Sequence, residues 1–278
     1  MNRFAVFFTE SIRSVCSGFT RAGVIALASC LTLAATAQGN PAAQKPMPRL
    51  NPPLPEYSFP ANETLNYSVD WRVFPAGTTQ IHLQQEGDEE HVTATAQTLG
   101  AISLIYRVFD HYESTFNRTT GCSAGFSKQL QEGHRRVNTD LRFDYGRGMA
   151  TLNQKNLVSG ISKSAEAPVG PCVTDLLSAI FYPPSQRLVP GQNFRVPLGD
   201  SLRTVAVTMN VEARETVKTP LGTYQTIRVQ PTADAGVVKA RGNIWIWYTD
   251  DERHIPVQMR ARLFWGTITF SLTSITTK

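Results

Sequence analysis

Gly121-Cys122-Ser123-Ala124-Gly125 spells G-x-S-x-G, the pattern that sets a serine nucleophile on a sharp strand-to-helix turn. The flanks do not supply that context. Residues 111–116 and 126–138 are both strand-like, so a loop of small residues at a strand end explains the segment. A hydrolase at Ser123 is the outsider, and the chain is expected to be a non-enzyme. The five histidines, His82, His91, His111, His134 and His254, show neither H-x-x-x-H nor H-E-x-x-H spacing, and no metal site is expected. His82 and His91 could face each other across the 85–90 turn, as exposed polar residues of a hairpin. Asp250, Asp251, Glu252 and His254 crowd one turn, but calcium loops spread their oxygens over a longer stretch. Asp110 and Asp175 stand beside the most apolar segments, where paired carboxyls could serve acid–base chemistry. Helix capping by Asp175 and strand-end hydrogen bonding by Asp110 account for both. The chain has no P-loop, no dinucleotide fingerprint and no C-x-x-C, so no cofactor is expected.

What remains is a surface for binding, and its strongest mark is the segment Gly242 to Val257. Ile244, Ile246 and Tyr248 point one way from a strand, while Trp245 and Trp247 point the other. A strand apolar on both faces must be covered twice, or must line a cavity with one face. Around it, period-two alternation recurs in Leu65-Tyr67-Val69-Trp71, Val92-Ala94-Ala96, Val137-Thr139-Leu141-Phe143, Val205-Val207-Met209-Val211, Val257-Met259-Ala261-Leu263-Trp265 and Ile268-Phe270-Leu272. Polar turns follow at 85–90 and 146–148. Thr219-Pro220-Leu221-Gly222 suits a type I turn with Gly222 in the left-handed region. The run 101–109 is apolar and of uncertain type. Residues 174–182 read as a helix capped by Thr174, with Asp175 at its positive end, stopped by Pro183-Pro184 and apolar at Leu176, Leu177, Ile180 and Phe181. The fold class expected is mainly β: a curved antiparallel sheet or open β-barrel of about ten strands with one or two short helices.

The first 37 residues carry Arg3, Arg13 and Arg21 ahead of an uncharged run from Ala22 to Ala37, which ends in an A-x-A cleavage pattern. This predicts export to the periplasm with cleavage after Ala37. Leu27-Ala28-Ser29-Cys30 offers the alternative of a lipoprotein anchored through Cys30, the one route by which membrane association is expected. Residues 38–61 hold seven prolines and read as an extended tether, leaving 62–278 as a single β-rich domain. Without the leader the chain keeps 24 basic and 21 acidic residues, too weak and dispersed an excess for a nucleic-acid partner. The exported part keeps two cysteines, Cys122 and Cys172, which an oxidising compartment would join as a disulfide.

Taken together these marks resemble the bacterial domain of unknown function 3108 family. The likeness rests on Glu63-x-Leu65-x-Tyr67-x-Val69-x-Trp71 with Gly77, on Asp175-x-x-Ser178-Ala179-x-x-Tyr182 with Gly191, on Thr219-Pro220-Leu221-Gly222-Thr223-Tyr224, and on Trp247-Tyr248-Thr249-Asp250-Asp251-Glu252 to Pro256-Val257. The resemblance implies an exported envelope protein with a curved sheet or barrel, similar in fold to the lipoprotein-localisation carriers, and no catalytic residues. The function expected is binding of an apolar or lipid-like ligand, such as a lipid or a lipoprotein acyl chain, in a β-barrel cavity. Candidate wall residues are Trp71, Leu177, Phe181, Trp245, Trp247, Phe264 and Trp265. The alternative is an assembly module with a solid core that presents sheet edges to an envelope protein.

Overall fold

The computed structural model describes residues 46–240, 242–264 and 266–277. The expected leader with Cys30 and Ala37 lies outside these residues, and so does Trp265.

The chain forms β1 (Asn62–Trp71), β2 (Phe74–Glu86), β3 (Glu89–Thr98), α1 (Gly100–Ile105), β4 (Phe109–Asn117), β5 (Ser123–Glu132), β6 (Arg135–Asp144), β7 (Met149–Asn156) and β8 (Ser162–Pro168). It continues with α2 (Ser178–Phe181), β9 (Asn193–Asp200), β10 (Arg203–Lys218), β11 (Thr223–Thr232), α3 (Gly236–Ala240), β12 (Asn243–Thr249), β13 (Pro256–Leu263) and β14 (Gly266–Thr277). All strands join one 14-stranded antiparallel sheet in the order β8 through β1, then β14 through β9. The expected count of about ten is too low because some strands lack an apolar stripe. β8, with the sequence SKSAEAP, is exposed along almost its whole length. Its backbone pairing to β7, rather than side-chain burial, makes it a strand.

The alternation read in the sequence is the burial pattern of the sheet. Leu65 and Tyr67 of β1, Ile81 and Leu83 of β2, and Val92 and Ala94 of β3 are buried on the concave side. Register shifts at Asn66/Tyr67, Val69/Asp70, Thr115/Phe116, Val211/Ala213 and Trp247/Tyr248 bend the strands and curl the sheet. At one of these bends Gly77 is obligatory, since a Cβ there would meet the Gln97 carbonyl oxygen at 2.1 Å. Gly222 does not take the left-handed conformation expected of it. The 219–222 turn is instead held by reciprocal backbone bonds between Thr219 and Gly222.

Strand pairing does not close the sheet; a strap nearly does. Ser123 N of β5 donates to Val173 O, while Thr174 N donates to Pro197 O of β9 and Thr174 O accepts from Gly199 N. Cys122–Cys172 fixes the start of this strap to the turn before β5, with Cα atoms 5.1 Å apart, as the even cysteine pair predicted. Residues 46–61 form no helix or strand, but the tether expectation needs correction. Phe59 is buried in the core, Leu54 N donates to Ser185 O, and Tyr182 Oη donates to Asn51 O. The aromatic residues among the prolines gain more from burial than an extended tether would give them.

A cavity beneath the helical segment

Asp175 builds the site. Its side chain is fully buried, and its Oδ2 accepts the hydroxyls of Ser114 in β4 and Ser123 in β5, each at 2.6 Å. Its Oδ1 accepts the amides of Leu177 at 2.8 Å and Ser178 at 3.1 Å, while Ser178 Oγ accepts Asp175 N. Asp175 is thus the cap of α2, and the expected cap, Thr174, instead donates its hydroxyl to Pro197 O. Burial pushes the Asp175 carboxyl above the ordinary range, and the four donors pull against that shift. At the far end of the turn Tyr248 Oη donates to Ile180 O at 2.7 Å. The helix is shorter than the expected 174–182 because Thr174 is held in a bridge to Leu198 of β9, so the helical turn begins only at Ser178; Pro183–Ser185 follow as a 3₁₀ turn.

Held this way, Leu176, Leu177, Ala179 and Ile180 roof an apolar cavity of about 130 Å³. Ile244 and Ile246 of β12 form part of its wall, and Val237 and Val238 of α3 close one side. The Val237 amide donates to the Asp200 carboxylate at the tip of β9, which fixes α3 in place. A second cavity of about 110 Å³ lies under α1 and is lined by Val69, Trp71, Ile102, Tyr106 and Ile268. The two share Thr79, Ala96 and Phe270 as common wall. The Thr79 hydroxyl, buried where they meet, has no hydrogen-bond partner. Asp110 and Glu132 stand at the polar end of the second cavity. Asp110 accepts Gln131 N and Tyr112 Oη and hydrogen-bonds to Glu132, and its burial raises the carboxyl.

The structure sorts the sequence-derived wall residues. Leu177 lines the first cavity and Trp71 the second. Phe181 is buried in the core beside them and lines neither. Trp245 and Trp247 are not cavity wall, because they stand on the opposite face of β12 from Ile244 and Ile246. The long β10–β11 hairpin curls over that outer face, with Leu221 N donating to Leu272 O of β14. Trp247 packs in one cluster with Val217 and Tyr224 of this hairpin, donates Nε1 to Glu215, and lies 5.1 Å beneath the Arg260 guanidinium. Phe264 is no wall residue either: it is 79% exposed at the β13–β14 tip. Residues that the sequence reading missed include Thr79, Ala96, Val237 and Val238. The last two sit in a five-residue helix too short to show a period.

Ser123 does not stand on a nucleophile elbow. It is fully buried, it opens a strand rather than a helix, and its hydroxyl is committed to Asp175. Asp175 and Asp110 are not partners, since each has its own network. His82 pairs across the sheet with Thr93, and His91 with Gln84, so the two do not oppose each other. Asp251 organises its own turn by accepting Thr249 Oγ1 and the amides of Arg253 and His254, while Asp250 pairs with Arg214.

A family model described as "Protein of unknown function (DUF3108)" matches residues 66–273. No curated protein matches the chain. Among solved structures, a β-barrel-like protein of the domain of unknown function DUF1849 from Brucella abortus superposes with a TM-score of 0.54 at 9% identity, covering 79% of this chain and 98% of its own. A Bacteroides fragilis protein with a YmcC-like fold covers 79% of this chain and 99% of its own at 10% identity and a TM-score of 0.36.

Proposed function

The chain belongs to the DUF3108 family of proteins of unknown function, and from that footing we propose that it is an exported envelope protein that binds an apolar or lipid-like ligand, without catalysis, in the paired cavities under α1, α2 and α3. The observation that carries this reading is the apolar wall beneath α2, interrupted where the cavities meet by the unpaired Thr79 hydroxyl. Pockets built for ligands combine apolar lining with few polar groups. Size bounds the occupant. Each cavity is a little smaller than the roughly 150 Å³ apolar cavity that takes up benzene. Each therefore suits a ring or a short run of hydrocarbon, and a longer chain must pass Thr79, Ala96 and Phe270. Every methylene buried there contributes about 0.8 kcal/mol. An ester or hydroxyl at the junction would satisfy Thr79. Export is supported by the arginine-flanked apolar leader and by a disulfide that suits an oxidising compartment.

The test is native mass spectrometry of protein purified from exporting cells, together with titration by a fluorescent fatty acid. A co-purifying lipid-sized adduct and saturable uptake are expected. Lipid-free protein that also refuses the fatty acid defeats the reading and leaves the assembly module, for which the exposed edge strand β8 is the supporting feature.

A further inference from the structure

In this sheet every connection that follows an odd-numbered strand lies at one end, and every connection that follows an even-numbered strand at the other. The most exposed large apolar side chains among the described residues all gather at the odd end. Leu104 is 89% exposed, Val73 81%, Phe264 79%, Ile105 73% and Val158 67%. They occupy four separate connections, β1–β2, β3–β4, β7–β8 and β13–β14. Burial does not explain them, and no single packing defect spans four loops. Charge follows the same polarity. Each of the seven connections at this end has a lysine or arginine in it or within two residues: Arg72, Arg107, Arg135, Lys155, Arg203, Lys239 and Arg262. The opposite end also carries basic residues, Arg118, Arg147, Arg187, Lys218 and Arg253, but two of its six tips are acidic clusters, Glu86, Asp88 and Glu89 between β2 and β3 and Asp250, Asp251 and Glu252 between β12 and β13, so the balance there is acidic. The odd end also holds α1 and α3, which border the two cavities.

We propose that this rim docks on an anionic phospholipid bilayer, with the apolar loop tips entering the interface and the flanking lysines and arginines meeting lipid phosphates. Apolar tips ringed by basic residues are what an anionic bilayer surface selects: hydrocarbon burial supplies one part of the affinity and attraction to the negative surface the other. A protein partner of matching shape would need acidic side chains opposite seven separate loops, whereas a bilayer presents negative charge in every direction. The inference stands whether or not the cavities hold a ligand, and it places the bilayer at the end where they are bordered.

The experiment is co-sedimentation of the full chain, exported and purified, with vesicles. Cys30→Ala is present throughout so that no lipid on that residue contributes. Vesicles of equal parts phosphatidylcholine and phosphatidylglycerol should bind the protein, pure phosphatidylcholine far less, and added salt should release it. The combined Val73→Ser, Leu104→Ser and Ile105→Ser variant should bind at least about tenfold more weakly. Lys155→Ser with Lys163→Ser, both exposed at strand ends, should cost roughly thirtyfold. Leu221→Ser at the opposite end should change nothing. Absence of binding to anionic vesicles overturns the proposal. So does binding that both rim variants leave intact, or a rim-dependent dimer in sedimentation velocity without vesicle binding.

Discussion

Replacing Ala96 by leucine puts three more carbon atoms into the wall that the two cavities share. If that space is open, the added carbons bury against Phe270 and the neighbouring wall at about 0.8 kcal/mol each, so stability rises by about 2 kcal/mol. For a domain of this size that is a Tm increase of about 4–8 °C. If the space is already filled, the same substitution overpacks the site and lowers stability by about 1–3 kcal/mol. The sign of the change in a thermal scan of ligand-free protein therefore reports on the cavity itself. The same variant, titrated with a fluorescent fatty acid, should lose most of its uptake because the passage between the cavities is blocked. A lowered Tm would refute the open junction, and a raised Tm with undiminished uptake would place the ligand elsewhere.

Cys122→Ala with Cys172→Ala should cost about 4 kcal/mol on the chain-entropy account of a loop with a sequence separation of 50, seen as a lower urea midpoint with a steeper slope, since the uncrosslinked unfolded chain exposes more surface. Asp175→Ala strands two hydroxyls and two amides, and should cost about 3–5 kcal/mol in urea unfolding, while Asp175→Asn, which can still accept and donate, should cost far less. Burial pushes the Glu90 carboxyl up to about 7 against the pull of Arg118. The folded state then holds that proton more tightly than the unfolded chain, so stability is greatest below the unfolded value and falls as pH rises through about 7. Tm measured from pH 5 to pH 8 should show that fall, on the order of a few degrees, and Glu90→Gln should flatten it.

Strands with a buried stripe were legible because burial writes itself into every second residue. Leu65 and Tyr67, Val207 and Met209, and Met259 and Ala261 all face where the alternation puts them. The strands without a stripe, above all β8, leave no such trace. The Trp245/Trp247 face shows the harder limit. The two apolar faces correctly demanded two covers, but the sequence could not say which cover was protein. That answer lies in the twist of a hairpin whose tip reaches β14 from about 50 residues earlier in the chain. Phe264 misled for a different reason: it reads as wall for being aromatic, although it is in phase with Arg260 and Arg262 rather than with the inward stripe, and it follows the last residue of β13. Asp175 was legible as a helix cap, but its grip on β4 and β5 depends on serines 61 and 52 residues away.

The pairing of β1 with β14 lies in the interior of the sheet, and it joins Glu63 to Thr277. On either side of that seam the strands follow one another as simple meanders, which can zip up locally as the chain lengthens. The seam itself can form only when the last strand has been made, and closing so long a loop is slow. Until then β1 and the C-terminal meander each present an unpaired edge. Removal of β14 would cut the sheet through its middle rather than fray its border.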